Sequence, residues 1–361
     1  MVIHETKTSL KIFFDGVFNA KPQSGVHRYF YDLIKNLPTN VYKYSSTSIT
    51  RSTIKNHYIP NVRHFRPHKI SFFLEYLWFK QKQKSVKFDL VHSAYYNLSN
   101  SCKKLIEDGV PHVVTVHDLI HETLEEDKSL LDYRRAILVN STAIVAVSEN
   151  TKRELLNFYP QIKEKKIHVI HHGVCPKQTN RRIIKKNFLL YVGQREGYKN
   201  FDIVLLSVKE IVKKRKIELI VVGPKPNDAE ISNIIELDLK QFVKFKNSVT
   251  DHELEILYSE CLAFVYPSLY EGFGYPLIEA MASGAIPIGS KTSCIPEILG
   301  NAGITTDITR HLNLTNSILK ILNDQNLSEK LRLASIKRAK DFSISFFANN
   351  YMALYRSLLI K

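Results

Sequence analysis

The sequence has few of the features that mark specialised architectures. No run approaches the roughly 18 apolar residues of a membrane span, and residues 1–20 hold no apolar core of secretory length behind a basic start. Internal repeats and low-complexity tracts are missing, which excludes solenoids and disordered tails. Cysteine is scarce: Cys102, Cys175, Cys261 and Cys294 lie far apart without a C-x-x-C pair. That spacing signals neither a zinc site nor a disulfide framework, and it fits a reducing, cytoplasmic compartment. Glycine and proline, 13 of each, are too few for collagen or a Pro/Gly-rich linker chain.

The rest is ordinary globular composition, 44% hydrophobic and 24% charged over 361 residues. At roughly 150 residues per domain this length predicts two lobes, each able to bury its own core. Basic residues exceed acidic ones, 51 to 35, for a net charge of +16. The excess is spread evenly, 25 against 16 before residue 176 and 26 against 19 after it, so no basic tail carries it. An anionic partner is expected: nucleic acid, a phosphorylated small molecule or an anionic membrane face.

Short apolar runs alternate with amphipathic stretches. In the second half, Phe188–Gly193, Ile217–Gly223, Cys261–Pro267 and Ala285–Gly289 read as buried parallel strands. Helical patterns at Asn200–Lys214, Asp228–Leu237, Asp251–Ser259 and Pro276–Ser283 separate them. The first half repeats the logic, with strands at Leu10–Asp15, Asp89–His92, Pro111–Val116, Thr142–Val147 and Ile167–Ile170 and helices at Gly25–Leu37, Ser129–Asn140 and Ser148–Phe158. Such alternation means doubly wound α/β sheets. Cys175–Asn187 is polar, basic and aperiodic, as a connection between lobes would be. Past residue 308 three helical stretches follow, the last at Ile344–Leu359. The expected organisation is therefore 1–175, a linker at 176–187, 188–342, and a terminal helix at 343–361.

The strongest local signal is Ser268–Gly284, SLYEGFGYPLIEAMASG, directly after a strand. Pro276 suits the first helical turn and Gly284 the C-terminal stop. Glu271 then sits in the entering loop and Glu279 near the start of the helix. Gly272 and Gly274 let backbone approach an anion closely, and the helix N-terminus behind them favours negative charge. An isolated pair of glutamates is ordinarily a solvated helix face plus a loop charge. Carboxylates beside an anion cradle make sense when they accept hydrogen bonds from the diols of a sugar or ribose.

The string EGFGYPLIE, with seven residues between its glutamates, resembles the E-x7-E signature of retaining glycosyltransferases of the GT-B fold. Its continuation AMASGAIPIGSKTSCIPEILGNAG resembles family 4 of those enzymes, and FFDGVF, SGVHR, TVHDLIHE, AVSENTKREL, IHVIHHGV and YVGQREGYKN follow in family order. Within family 4 the set looks closest to the polysaccharide mannosyltransferases of bacterial O-antigen clusters. The resemblance implies two Rossmann-like lobes facing across a cleft, a terminal helix returning to the first lobe, and a retaining hexosyl transfer. The implied donor is a nucleoside diphosphate sugar, GDP-mannose first, with rhamnose, fucose, glucose and N-acetylglucosamine donors as alternatives. The implied acceptor is a saccharide or lipid-linked saccharide.

Carried over by motif, Glu279 holds the ribose hydroxyls and Glu271 those of the transferred sugar. Gly272, Phe273 and Gly274 meet sugar and diphosphate through backbone amides, and Lys199 binds the diphosphate. Arg195 reaches the same phosphate, although Gln194 separates it from Gly193, where much of the family has the arginine directly after the glycine. In the first lobe Gly25 matches a glycine-rich loop opposite the diphosphate, with Ser24 in place of the commoner first glycine. His117, at a strand end, contacts the transferred sugar; without the resemblance it reads equally as a strand-end turn or a general base. His171 and His172 have no third ligand nearby, and no Asp-x-Asp occurs, so no metal and no other cofactor is expected. Lys199, Arg195 and helix dipoles neutralise the diphosphate instead.

Arg63–Lys84 interleaves aromatics with bases and contains the single tryptophan, Trp78. It reads either as an interfacial helix for anionic lipid or as a core helix with a solvated basic end, and a peripheral place on the inner membrane face follows from the first reading. A basic RNA- or membrane-binding protein without catalysis would have no reason to keep both glutamates, Lys199 and His117 together, so nucleic acid is not an expected partner.

Overall fold

The computed structural model describes residues 9–16, 25–46, 54–60, 68–95, 97–123, 128–175 and 185–360. Most of the expected linker, the start of the Arg63–Lys84 stretch and Ser24 lie outside the described residues. The chain divides into two compact units, Met1–Gly173 with Ile344–Lys361, and Val174–Ser343.

The first unit is built on a seven-stranded sheet in the order β3-β2-β1-β4-β5-β6-β7. Its strands are β1 (Leu10–Phe14), β2 (Val41–Ser45), β3 (His57–Tyr58), β4 (Leu90–Ala94), β5 (His112–Val116), β6 (Ala143–Ala146) and β7 (Ile167–Val169). Every pair is parallel. Helices α1 (Gly25–Asn36), α2 (His68–Ser85), α3 (Asn100–Glu107), α4 (Ile120–Thr123), α5 (Lys128–Asn140) and α6 (Glu149–Phe158) belong to this unit, as does α14 (Ile344–Ser357) from the far end of the chain. Parallel strands covered on both faces must be apolar throughout, and LKIFF of β1 and HVVTV of β5 are almost wholly buried.

A chain of polar contacts ties α14 to that sheet. Tyr355 Oη lies 2.7 Å from His92 Nδ1, His92 Nε2 lies 2.8 Å from Thr115 Oγ1, and Thr115 Oγ1 lies 2.8 Å from Tyr351 Oη, which also meets Tyr29 of α1. Gly173 is obligatory here, because a Cβ would fall 2.8 Å from the Ile344 Cα. At the switch point between β1 and β4, buried Asp15 accepts from Ser99 N–H at 2.8 Å and from Ser46 Oγ at 3.2 Å, joining three strand ends.

The second unit repeats the order with six parallel strands, β10-β9-β8-β11-β12-β13. These are β8 (Phe188–Val192), β9 (Glu218–Val222), β10 (Val243–Lys246), β11 (Ala263–Tyr266), β12 (Pro287–Ser290) and β13 (Ile304–Thr306). Its helices are α7 (Phe201–Val212), α8 (Asp228–Glu236), α9 (Asp251–Glu260), α10 (Tyr275–Ala282), α11 (Ile295–Leu299), α12 (His311–Asn323) and α13 (Gln325–Ala339). Reciprocal capping boxes, Asn227 with Glu230 and Thr250 with Glu253, start α8 and α9. Helix α10 has Pro276 in its first turn and ends in a Schellman turn: Ala285 N–H reaches Ala280 O and Gly284 N–H reaches Met281 O, with Gly284 left-handed. The core between sheet and helices gathers Leu189, Tyr191, Val204, Val221, Val265 and Ile288.

Candidate active site at the switch point of the second sheet

Strands β8 and β11 are neighbours in the sheet but are far apart in sequence, so the loops leaving their C-terminal ends diverge to opposite sides. The loop after β8 carries Arg195 and Lys199 into α7, and the loop after β11 carries Glu271 into α10. Both helices begin after a left-handed residue, Asn200 at φ 53° and Gly274 at φ 81°, and neither has a side-chain cap. Two positive helix ends therefore lie at the same edge of the sheet. Only glycine suits position 274, where a Cβ would stand 3.0 Å from Leu277 Cδ1 besides the positive φ.

The structure brings Lys199 and Glu271 together. Nζ donates to Oε1 at 2.6 Å, with both side chains largely shielded from solvent. Tyr266, fully enclosed at the end of β11, hydrogen-bonds the same carboxylate, and burial together with that carboxylate holds its phenol well above the ordinary tyrosine range. The Lys199 ammonium also lies 4.8 Å from the centre of the Tyr198 ring. Leu269 N–H donates to Tyr198 O at 2.7 Å, stitching one loop to the other. The backbone of Glu271 is clamped by Ser293, whose hydroxyl accepts from Glu271 N–H at 2.9 Å and donates to Glu271 O at 2.6 Å.

The remaining sequence-derived residues separate into those beside this pair and those elsewhere. Gly272 and Phe273 are buried in the same loop, Phe273 edge-on to Phe342 at 5.9 Å. Glu279 is partly buried on α10, its carbonyl receiving Ser283 N–H. The Arg195 guanidinium is paired within the second unit. Nε and Nη2 grip Glu230 at 2.6 and 3.0 Å, and Nη1 and Nη2 donate to Pro224 O and Lys225 O. The plane also covers the Phe245 ring at 5.2 Å, and the arginine depresses the Glu230 pKa. Arg195 therefore braces the loop after β9. We expect Arg195→Ala to lower unfolding free energy by about 1–3 kcal/mol through the orphaned Glu230 and carbonyls. Equal urea midpoints for the variant and the wild type would refute that role.

In the first unit Gly25 is the exposed first residue of α1, with open space where a Cβ would be. His117 follows β5 and packs edge-on against Tyr29 at 4.7 Å, with Phe30 at 6.2 Å. Burial pushes its pKa down to about 3, and its Nε2 has no hydrogen-bond partner among the described residues. His172 is buried against Phe347, and among the described residues no group of three His, Cys, Asp or Glu side chains is gathered as a metal would require. Sequence reasoning missed Tyr266, Ser293 and Glu230. Tyr266 hides in an apolar strand, Ser293 lies in a loop 22 residues beyond Glu271, and Glu230 is one of two acids in the first turn of a helical pattern.

Comparison with known proteins bears on the family and the fold. Residues 177–340 match the family described as glycosyl transferases group 1, and residues 23–178 match glycosyltransferase family 4. The O-antigen chain mannosyltransferase RfbU of Salmonella typhimurium is 30% identical over 253 residues, 67% of this chain and 65% of that protein. O-antigen chain mannosyltransferase B of Escherichia coli is 30% identical over 162 residues, 44% of this chain and 42% of that protein. The chain thus spans about two thirds of the first relative and under half of the second. Sucrose-phosphate synthase from Thermosynechococcus elongatus superposes with a TM-score of 0.77 at 19% identity, covering 97% of this chain and 99% of that one. Anabaena HepE, solved in complex with UDP and glucose, gives 0.75 at 16% identity over 96% of this chain and all of that one. The fold is that of the GT-B glycosyltransferases.

Proposed function

We propose, for a chain that belongs to the family 4 glycosyltransferases, that it transfers mannose from GDP-mannose to a saccharide or lipid-linked saccharide acceptor in bacterial surface polysaccharide synthesis, with retention of anomeric configuration. One observation carries the reading: a lysine–carboxylate pair enclosed at a switch point between two helix N-termini. A diphosphate is the ligand those positive ends favour, and a carboxylate beside it serves sugar hydroxyls. Mannose is favoured by the O-antigen mannosyltransferase relatives, whereas HepE, solved with UDP, cautions that the fold alone does not select the base.

In the proposed step the bond from the anomeric carbon to the β-phosphate oxygen breaks while the acceptor oxygen bonds to that carbon from the same face. The departing phosphate oxygen takes the acceptor proton, and Lys199 stabilises the charge left on the diphosphate. Glu271 orients the sugar, Glu279 the ribose, and the amides of Gly272, Phe273 and Gly274 line the phosphate side. Gly25 and His117 keep the roles the family resemblance implies, a loop opposite the diphosphate and a sugar contact. With its pKa near 3, His117 is uncharged at neutral pH and suits hydrogen bonding rather than general-base catalysis. Arg195 acts by positioning its loop.

Proton NMR of the first product from a screen of nucleotide sugars tests this directly. An α-mannoside from GDP-mannose, formed at full rate in EDTA, is expected. A β-linked product would overturn retention, and dependence on added manganese would overturn the metal-free charge balance. Turnover of another nucleotide sugar alone would change the donor.

A further inference from the structure

Successive side chains of a strand point to opposite faces. In β11, Ala263 and Val265 join the apolar core of the second unit, whereas Phe264 and Tyr266 share the other face, their ring centres 5.7 Å apart. Packing alone asks for a second phenylalanine at position 266. The hydroxyl that tyrosine adds there is buried, and a buried hydroxyl needs a partner. It takes the Glu271 carboxylate. The same ring borders the rest of the site: a Cβ on Gly274 would stand 3.4 Å from Tyr266 Cε1, and the Lys199 ammonium lies 6.0 Å from the ring centre. One enclosed side chain thus adjoins the loop carboxylate, the left-handed residue that starts α10, and the lysine.

Glu271 therefore has two partners of different kinds. Lys199 stands just before α7, where a diphosphate would draw on the same charge. Tyr266 is walled in by Phe264 and the Gly274 loop, so no phosphate can share its hydroxyl. Neighbouring groups do not duplicate it. Tyr191 is buried too, but its hydroxyl donates to Gln194 O, and Ser293 holds the backbone of Glu271 while leaving the carboxylate to others. A carboxylate that loses its ammonium partner to phosphate keeps its place and its charge only if a second donor stays with it. We propose, building on the function proposed above, that Tyr266 is a positioning residue of the transfer site, whose hydroxyl keeps the Glu271 carboxylate aimed and partnered as the Lys199 ammonium turns to an incoming diphosphate.

Titration calorimetry of the full chain with GDP and with UDP tests this through a double-substitution cycle. Tyr266→Phe keeps the ring and its packing and removes only the donor. Freeing Lys199 then leaves Glu271 without that hydrogen bond, so the Kd of whichever diphosphate the wild type binds should rise by about tenfold. With Glu271→Gln already in place no carboxylate competes for the lysine, and adding Tyr266→Phe should change the Kd by less than about twofold. Ser293→Ala provides the contrast: it loosens the backbone, so its effect should be the same with and without Glu271→Gln. For a sugar nucleotide that the wild type turns over, Tyr266→Phe should lower kcat by about tenfold, more than it raises KM. A Tyr266→Phe penalty that persists unchanged beside Glu271→Gln, or no penalty at all, would leave the tyrosine a packing residue and overturn the proposal. Loss of the native circular dichroism spectrum in Tyr266→Phe would do the same. Because the cycle is read on bare diphosphate, a failure to transfer any sugar would overturn the proposed function alone, whereas a wild type that binds neither diphosphate would overturn both.

Discussion

Lys199→Ala should lower kcat/KM by roughly a hundred- to a thousand-fold, the loss seen when one preorganised donor to a developing anion is removed. The ammonium is at present spent on Glu271 at 2.6 Å. A diphosphate arriving at the two helix ends competes with Glu271 for that ammonium, since both anions draw on the same charge. Donor binding would thus release Glu271 to the sugar hydroxyls at the moment the sugar arrives. Glu271→Gln makes the distinction: it should bind bare nucleoside diphosphate at least as tightly as the wild type, since Lys199 no longer has a competing anion. The same variant should turn over poorly. Glu279→Ala should instead raise the donor Kd by about tenfold, near 1.4 kcal/mol, with kcat little changed. Isothermal titration with diphosphate and with sugar nucleotide, alongside initial rates, reads all three. Weaker diphosphate binding in Glu271→Gln, or unaltered rates in Lys199→Ala, would remove the exchange.

Which parts of this site were legible follows from how local each interaction is. Strands β8, β9 and β11 are continuous apolar runs and could be read directly. Strands β2 and β10 could not, since lysines interrupt VYKYS and VKFK. Lys43 of β2 is buried because its ammonium reaches the carbonyls of Leu37, Pro38 and Lys55, an arrangement no window of sequence contains. Strands β3 and β13, of two and three residues, are too short to show a period. The boundaries of α10 were readable from Pro276 and Gly284, and so was the placement of Glu271 before it. The pairing of Arg195 was not readable, because its partner Glu230 is 35 residues away. Helix α2 defeated the choice between core and interface: Phe79 is core while Phe73 and Leu77 are surface.

Acid should unfold the first unit well before carboxylate chemistry alone would. His92, His112, His117 and His172 all belong to it, and burial lowers the pKa of each. His112 stands at about 4 and His117 and His172 at about 3, while His92 is further depressed by its neighbours His112 and His117. Burial is the main cause in each; His92 also hydrogen-bonds with Tyr355 and Thr115 and His112 with Ser93, while the His172 Nδ1 contact to Gly173 O works against the lowering there. An unfolded chain protonates them near 6.5, so between that value and about 3 the unfolded state binds more protons, and stability falls as pH falls. Above pH 6.5 the full stability is present. At pH 5 each such histidine costs about 2 kcal/mol, so two of them remove a large part of a typical folding free energy. Trp78 reports this unit alone, because it is the only tryptophan and lies in α2. Its urea midpoint should drop steeply between pH 7 and pH 5. His112→Gln should flatten the drop, by removing one proton from the difference between the two states. The second unit contains only His252 and His311, and His252 is exposed. Nucleoside diphosphate binding at that unit should accordingly persist to lower pH than the native Trp78 signal. A Trp78 midpoint that holds constant from pH 7 to pH 5 would mean that these rings are already charged, or already exposed, in the folded protein.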